Sequence, residues 1–475
     1  MSLKLKSLFS SVLNRIGKRG IWAIIILAAA NIFIYAIPYY GKYIIPSLWE
    51  PFHITESDLD QLTVIVGALT LVMQLPGGWL ADKVKSKTLI ISSLVIVAAT
   101  TIWFAVIVIT GSYINVNGNL VTDQNLMIQY YIIFAIWGAA AALGFWAPMW
   151  KLVTQQAKKE DQGLAYGIQG TSIGIIGLLL FFLIGFILTT IIGIQLGFAV
   201  FSFVIAGYLF ICAVLIYFIV PEKTNLEKFG IDFKIIGQAL KEPRIWLDSF
   251  FIMGMYMFQS VFAYYFLNYL KNVVSNQLAW SAIIVTLLAG FRTYILGFLI
   301  SAPVGFFVDR AKSYVRLLLI IMGISILVST LFIFLPGFQE FNTLPYGYRY
   351  FLGIFFVLIY LVVGSLNWVM ITLRYATIGE IPTPKKSYSS VNALISVIAF
   401  SPDAWLFQIN PVVGRAYTVE GSTNTSQLGY TIILAIGIAV AFFGWLCGLA
   451  LHIWNTKELK KLGKTDYRWR ELQNI

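Results

Sequence analysis

The chain has 475 residues, 59% of them hydrophobic and 11% charged, with a formal net charge of +12. Soluble domains carry about 25% charged residues, so an ordinary water-soluble protein is excluded. The positive balance could suit nucleic acid, but the basic residues sit in short loops on alternate sides of long apolar blocks, which makes a lipid bilayer the expected partner and excludes nucleic acid.

Apolar blocks of roughly 20 residues, each able to cross about 30 Å of hydrocarbon at about 1.5 Å per residue, recur along the chain. Twelve are predicted, at about 21–45, 60–81, 88–110, 128–150, 164–188, 195–219, 245–270, 279–307, 315–335, 347–373, 388–413 and 428–454. The ten-residue alternation of a membrane barrel is absent, so the backbone must be satisfied within helices and the fold class is an all-α membrane protein with 12 transmembrane helices. The first 19 residues contain Lys4, Lys6, Arg15, Lys18 and Arg19 and no acid, and the block behind them is longer than a signal-peptide core, so it is expected to remain as an anchor. Basic clusters at Lys83–Lys87, Lys158–Lys159, Lys223–Arg244, Arg310–Arg316, Lys385–Lys386 and Lys457–Arg470 alternate with loops carrying Glu50, Glu56, Asp58, Asp60, Asp123, Glu340 and Glu420. The positive-inside rule then expects both termini in the cytoplasm of a multi-pass cell-membrane protein.

In chain order, block 1 sets Asn31, Tyr35, Tyr39 and Lys42 on one polar stripe around Pro38, a face expected to meet water or solute. After block 2 the chain reads Pro76-Gly-Gly-Trp-Leu-Ala-Asp82-Lys83-Val-Lys-Ser86. Block 5 carries Gly163, Gly167, Gly170, Gly174 and Gly177 on a small-residue face suited to close helix contact. A charged stretch at about 221–244 is expected to link two halves, 1–220 and 245–475. Block 7 offers Tyr256, Gln259, Ser260, Tyr264 and Lys271 over a broad arc, and near its start Asp248 reads as interfacial.

Block 8 holds the clearest anomaly. Arg292 lies too far from either end to reach the headgroups, and a charge at that depth costs about 2.5–3.5 kcal/mol on insertion scales, so it calls for a reason. Its planar guanidinium suits carboxylate, nitrate or phosphate, or a structural ion pair with an acid on a neighbouring helix. Thr286, Gly290, Thr293, Gly297 and Ser301 form a separate stripe about 120° away at 100° per residue. The expected arrangement pairs that stripe with the block 5 glycines between the halves and leaves Arg292 to a cavity. Block 8 then runs into Pro303-Val-Gly305-Phe-Phe-Val-Asp309-Arg310-Ala-Lys-Ser313, which repeats the first loop at a constant offset of 227 residues. Lys151 and Arg374 correspond more loosely at the ends of blocks 4 and 10. Block 11 aligns Asn392, Ser396, Ala399 and Asp403 beside Pro402; Asp403 reads as a proton-coupling carboxylate, a charge partner of Arg292 or a structural acid.

The duplicated Gly-x-Leu-Ala-Asp-Lys/Arg type of loop resembles the signature loop of the major facilitator superfamily, with Lys85 and Lys312 where many members have glycine. The resemblance implies a secondary transporter of two pseudo-symmetric six-helix bundles working by alternating access. Gly78 and Gly305 let neighbouring helices approach, and Asp82 and Asp309 sit where a carboxylate can meet the positive end of another helix. A gating role is therefore expected for Gly78, Asp82, Lys83, Gly305, Asp309 and Arg310, with a solvated basic turn as the alternative. A mid-helix arginine at block 8 is similar to the oxalate/formate and nitrate/nitrite branches, where it holds an anion. The reading is therefore a transporter of a small organic anion, with Arg292, Asn31, Tyr35, Tyr39, Tyr256, Gln259, Tyr264 and Asn392 expected at the solute and Asp403 at coupling. A neutral sugar as solute, or a transport-incompetent membrane sensor, are the alternatives. Gly463-Lys464-Thr465 lacks the earlier glycine of a nucleotide loop, and Cys212, Cys447, His53 and His452 make no metal-ligand pattern. No cofactor, no metal and no enzymatic activity are expected; the partners are a small solute, a proton or counter-ion and lipid, with the chain monomeric.

Overall fold

The computed structural model describes residues 12–41, 48–54, 56–112, 114–116, 119–158, 161–222, 237, 240–280, 282–308, 311–334, 341–381, 388–417, 425–461 and 463. Lys42, Asp309, Arg310 and most of the 221–244 linker lie outside the described residues.

The first bundle contains α1 (Lys18–Ile34, running into a π turn at Ala36–Tyr40), α2 (Glu56–Lys83) and α3 (Ser86–Thr110). It continues with α4 (Gln124–Ala140, π turn Ala141–Trp146, Ala147–Gln155), α5 (Gln162–Ile176, π turn Gly177–Leu183, Ile184–Ile191) and α6 (Ile194–Ile219). In the second bundle α7 (Pro243–Gln259) continues through π turns at Phe262–Phe266 and Leu270–Ser275 to Leu278, and α8 is Ala282–Gly290, a π turn at Phe291–Ile295 and Leu296–Val308. Then follow α9 (Tyr314–Phe334), α10 (Tyr346–Leu373, with a 3-10 tail Arg374–Glu380), α11 (Tyr388–Ala399 and Pro402–Ala416) and α12 (Gln427–Lys461). Ten of the twelve are long and apolar enough to cross a membrane; α1 and α11 are interrupted, at Tyr35 and at Phe400–Ser401, into shorter pieces. The one departure from helix among the described elements is a small antiparallel hairpin before α4, β1 (Ile114–Val116) with β2 (Asn119–Val121), pairing Ile114 with Val121.

Local chemistry sets these boundaries. Asp123 caps α4 by accepting from the Asn125 amide at 2.9 Å, and Glu242 does the same for α7 ahead of Pro243, whose missing N–H costs nothing in a first turn. α11 restarts the same way, with Pro402 in the first turn after Ser401. The short segment Glu50–Phe52 folds back into the first bundle, where Phe52 is fully buried against Phe104, Tyr130 and Phe198 and its carbonyl accepts from the Tyr130 hydroxyl at 3.1 Å. Buried apolar side chains separate into one cluster drawn from residues 23–220 with Tyr294, and another drawn from 245–451.

Two seams join the bundles: α5 against α8, and α2 against α11. The repeat sends α2 to α8 and α11 to α5, so the two seams are copies of one contact. In lipid no hydrophobic gain draws helices together, and close packing over small residues takes its place. At the α5/α8 seam Gly167 and Gly305 meet so tightly that a Cβ on either would lie 2.9 Å or less from backbone of the other helix. The α5 glycines do meet α8, as the sequence suggests, with Gly290 on Phe182 and Ser301 on Gly170 from the expected stripe, but between them the contact passes to Tyr294 and Phe298. Gly170 lies on Ser301, Gly174 on Tyr294 and Phe298, and Gly177 on the Tyr294 ring, while Gly297 packs on the Trp368 indole of α10. The cause is the π turn at Phe291–Ile295: one extra residue in that turn advances the contact face from 293 and 297 to 294 and 298.

Candidate functional site

The first of the duplicated loops lies beside a charge pair. Lys151 of α4 donates to the Ala81 carbonyl at 2.6 Å and stands 3.7 Å from the Asp82 carboxylate. Lys83 and Gly78 are buried. Ser86, which opens α3, gives its amide to Glu222 at 2.6 Å; in the second half Glu380 receives the Ser313 hydroxyl at 2.8 Å and the Tyr314 amide that opens α9. In each half a carboxylate thus sits on the positive end of the helix after the loop, where the dipole favours it. Gly305 packs on Gly163 and Gly167, and Asp309 and Arg310 lie outside the described residues.

At the α2/α11 seam a small hollow is lined by Gly67, Thr70, Leu71 and Gln74 of α2 and by Ser396, Val397, Phe400 and Asp403 of α11. It exists because α11 breaks there. Its second piece begins at Pro402, so Asp403 falls in a first helical turn, a favourable place for a carboxylate, and its Oδ2 accepts from the Tyr256 hydroxyl at 2.7 Å. Gly67 is what lets α2 reach this point, since a Cβ there would come within 2.9 to 3.2 Å of the Asp403 carbonyl oxygen and Cβ. Aromatic rings close the surroundings. Phe400 meets Tyr256 edge-on at 4.7 Å and Trp146 at 5.6 Å, Trp146 meets Tyr35 at 6.0 Å, and the hydroxyls of Tyr39 and Thr70 are 3.4 Å apart.

Behind Phe400 lies Arg374, 5% exposed, at the start of the 3-10 tail of α10. Its guanidinium carbon is 5.1 Å from the Phe400 ring centre and 5.5 Å from that of Tyr375, and Nη1 donates to Gln259 at 2.7 Å. Its Nε is buried without an acceptor, and among the described residues no carboxylate stands within ion-pair distance. Its repeat counterpart Lys151, by contrast, has Asp82 beside it.

Of the residues expected at the solute, the fold gathers Tyr35, Tyr39, Tyr256 and Gln259 around Phe400 and Arg374, together with Asp403, expected at coupling. Asn31 and Asn392 are buried, and Tyr264 meets Tyr265 edge-on and Phe407 at a tilt. Arg292 is 4% exposed; its Nη2 donates to the Phe258 carbonyl at 2.9 Å and its guanidinium lies 5.0 Å from the Tyr360 ring, among α7, α8 and α10 rather than along the hollow. Arg374, which the sequence marks only as the end of block 10, and Phe400, Thr70 and Gln74 are not among the residues expected at the solute. The i, i+3, i+7 spacing of Gly67, Thr70 and Gln74 on an otherwise apolar helix is the signal that finds the α2 wall.

The family profile of the Major Facilitator Superfamily matches residues 8–402. The chain belongs to the major facilitator superfamily. A relative described as "Uncharacterized protein MG294 homolog" from Mycoplasma pneumoniae (strain ATCC 29342 / M129 / Subtype 1) is 40% identical over 479 residues, covering 97% of this chain and 98% of that one. Among solved structures, the chain is similar to a bacterial homologue of the iron transporter ferroportin in an outward-facing state, with a TM-score of 0.59 and 13% identity over 92% of this chain and 99% of that chain. It is also similar to a bacterial homologue of the human lysosomal transporter Spinster in an inward-facing, unoccupied state, with a TM-score of 0.55 and 12% identity over 94% of this chain and 98% of that chain. As a superfamily member the protein is a multi-pass membrane transporter of two six-helix bundles, as the duplicated loop implies.

Proposed function

We propose that the chain is a secondary active transporter of a small organic anion, with Arg374 rather than Arg292 as the group that holds the acid. The reading is carried by one observation: a buried guanidinium beside the inter-bundle hollow makes a single hydrogen bond and has no carboxylate partner among the described residues. A buried cation left without a counter-charge costs several kcal/mol, so an anion arriving from solution gains what the protein leaves unsatisfied. In this proposal halves 1–220 and 245–475, joined by 221–244, rock about the two seams in the cell membrane with both termini cytoplasmic, and a monomer suffices.

The test is uptake by the purified protein in liposomes. Arg374→Gln should lower uptake of organic acids at least tenfold, Arg374→Lys should keep part of it, and Arg292→Gln should keep solute affinity. Normal uptake by Arg374→Gln would sink the reading. A neutral sugar is the second reading, favoured by the ring faces of Trp146, Tyr256 and Phe400, on which C–H groups can stack. It predicts glucose uptake that is indifferent to Arg374→Gln.

A further inference from the structure

We infer that the solute is a zwitterion, with its acid group on Arg374 and its ammonium group on Asp403. The inference rests on the anion reading above and adds the opposite pole. Both charged groups belong to one ring: the Arg374 guanidinium lies 5.1 Å from the centre of Phe400, and Tyr256, whose hydroxyl is 2.7 Å from Asp403, packs on Phe400 at 4.7 Å. Phe400 is thus an apolar ring that touches the positive group directly and is joined to the negative group through Tyr256. On the positive flank Gln259 takes up one of the five guanidinium N–H groups, and Nε has no acceptor although it is buried.

On the negative side Asp403 lines the hollow together with Thr70, Gln74 and Ser396. Phe400, which lines the hollow, adds an electron-rich ring of the kind that attracts an ammonium group. A solute bearing only an acid would bring its charge beside Asp403, and one bearing only an amine would bring its charge beside Arg374. A zwitterion laid across Phe400 meets neither repulsion, and discrimination of this kind works by penalising the wrong partner.

The experiment uses two matched sets of probes on the full-length protein: L-alanine, propionate and ethylamine, and L-phenylalanine, 3-phenylpropionate and phenethylamine. Binding is read by thermal protection and by uptake into liposomes, for the wild type, Asp403→Asn, Asp403→Glu and Arg374→Gln. In at least one set the zwitterion should act at tenfold or more lower concentration than its matched acid and amine. Asp403→Asn should erase that preference while keeping the acid, Asp403→Glu should restore much of it, and Arg374→Gln should weaken acid and zwitterion alike. If the matched acid binds as well as the zwitterion and Asp403→Asn leaves that ratio unchanged, the inference fails and the anion reading stands. It fails in the same way if Asp403→Asn removes only pH-driven accumulation, which is what a proton-carrying Asp403 predicts. Preference for the amine, or protection by glucose and by none of the six probes, would overturn both. Since Arg374→Gln removes a buried guanidinium and can lower folding yield, the Asp403 pair carries the decision by itself.

Discussion

At the scale of single residues, two arginines are buried in the second bundle, and the proposal gives the solute to Arg374 where the sequence points to Arg292. Burial of Arg292 is legible, because a charge in the middle of an apolar block has no route to the headgroups. What its long side chain reaches is not, since that depends on the neighbouring helix. It reaches the Phe258 carbonyl just before the α7 π turn at Phe262–Phe266, where the helical hydrogen-bond ladder is rearranged. Arg292→Gln is therefore expected to cost stability, about 1.5–3 kcal/mol for a hydrogen bond from a charged donor, read as a lower unfolding temperature with solute affinity kept within twofold. Retained unfolding temperature with lost binding would return Arg292 to the solute. Arg374 escapes the sequence reading because it ends a block, where basic residues are ordinary, and because its counterpart Lys151 is neutralised locally by Asp82.

At the scale of elements, the apolar blocks predict the helices closely, since length across the bilayer is a one-dimensional property of the sequence. Block 7 ends at 270 on hydropathy and α7 runs on to Leu278, because Lys271, Asn272 and Ser275 are polar without being helix breakers and Asn272 finds the Tyr430 hydroxyl at 2.7 Å. The π turns are not legible. A widened turn is fixed by what packs beside it, and Phe291–Ile295 rotates the lower part of α8 by one residue relative to any regular helical wheel. The element that tolerates least is the Gly167/Gly305 crossing. Gly305→Leu would drive a side chain into the backbone of α5, and it should abolish transport and lower the yield of folded protein. A much smaller loss is expected for Leu at Gly207, where a Cβ meets nothing within 4 Å. Comparable yields of the two variants by size-exclusion chromatography would refute the seam as described.

For the whole molecule, the duplicated loop makes two bundles legible, and the twofold repeat makes the two seams equivalent in kind. Their difference in content is not legible, because it depends on which side chains α4, α7 and α10 project between the bundles. If the bundles rock, the seams must loosen in turn. Gly170 and Ser301 bring their Cβ positions to 2.7 Å, within about 1 Å of a disulfide's mean. Gly170→Cys with Ser301→Cys, made in a background where the buried Cys212 and Cys447 are replaced by Ala, should cross-link under oxidation and stop uptake, with recovery on reduction. Full uptake by the cross-linked protein would mean that the α5/α8 contact stays shut throughout the cycle.

The break in α11 has a consequence for how such a carrier can change its cargo. Of two contacts descended from one ancestral copy, the first remains a dry bearing of glycines while the second, interrupted at Phe400 and Ser401, has acquired polar fittings. Substitution libraries confined to Thr70, Gln74 and Ser396 should therefore yield folded variants with altered solute preference, whereas libraries at Gly167, Gly174 and Gly305, which meet backbone of the facing helix, should yield mostly unfolded chains. Duplication would in this way have given the protein a spare joint, free to be retooled because its twin still bears the motion.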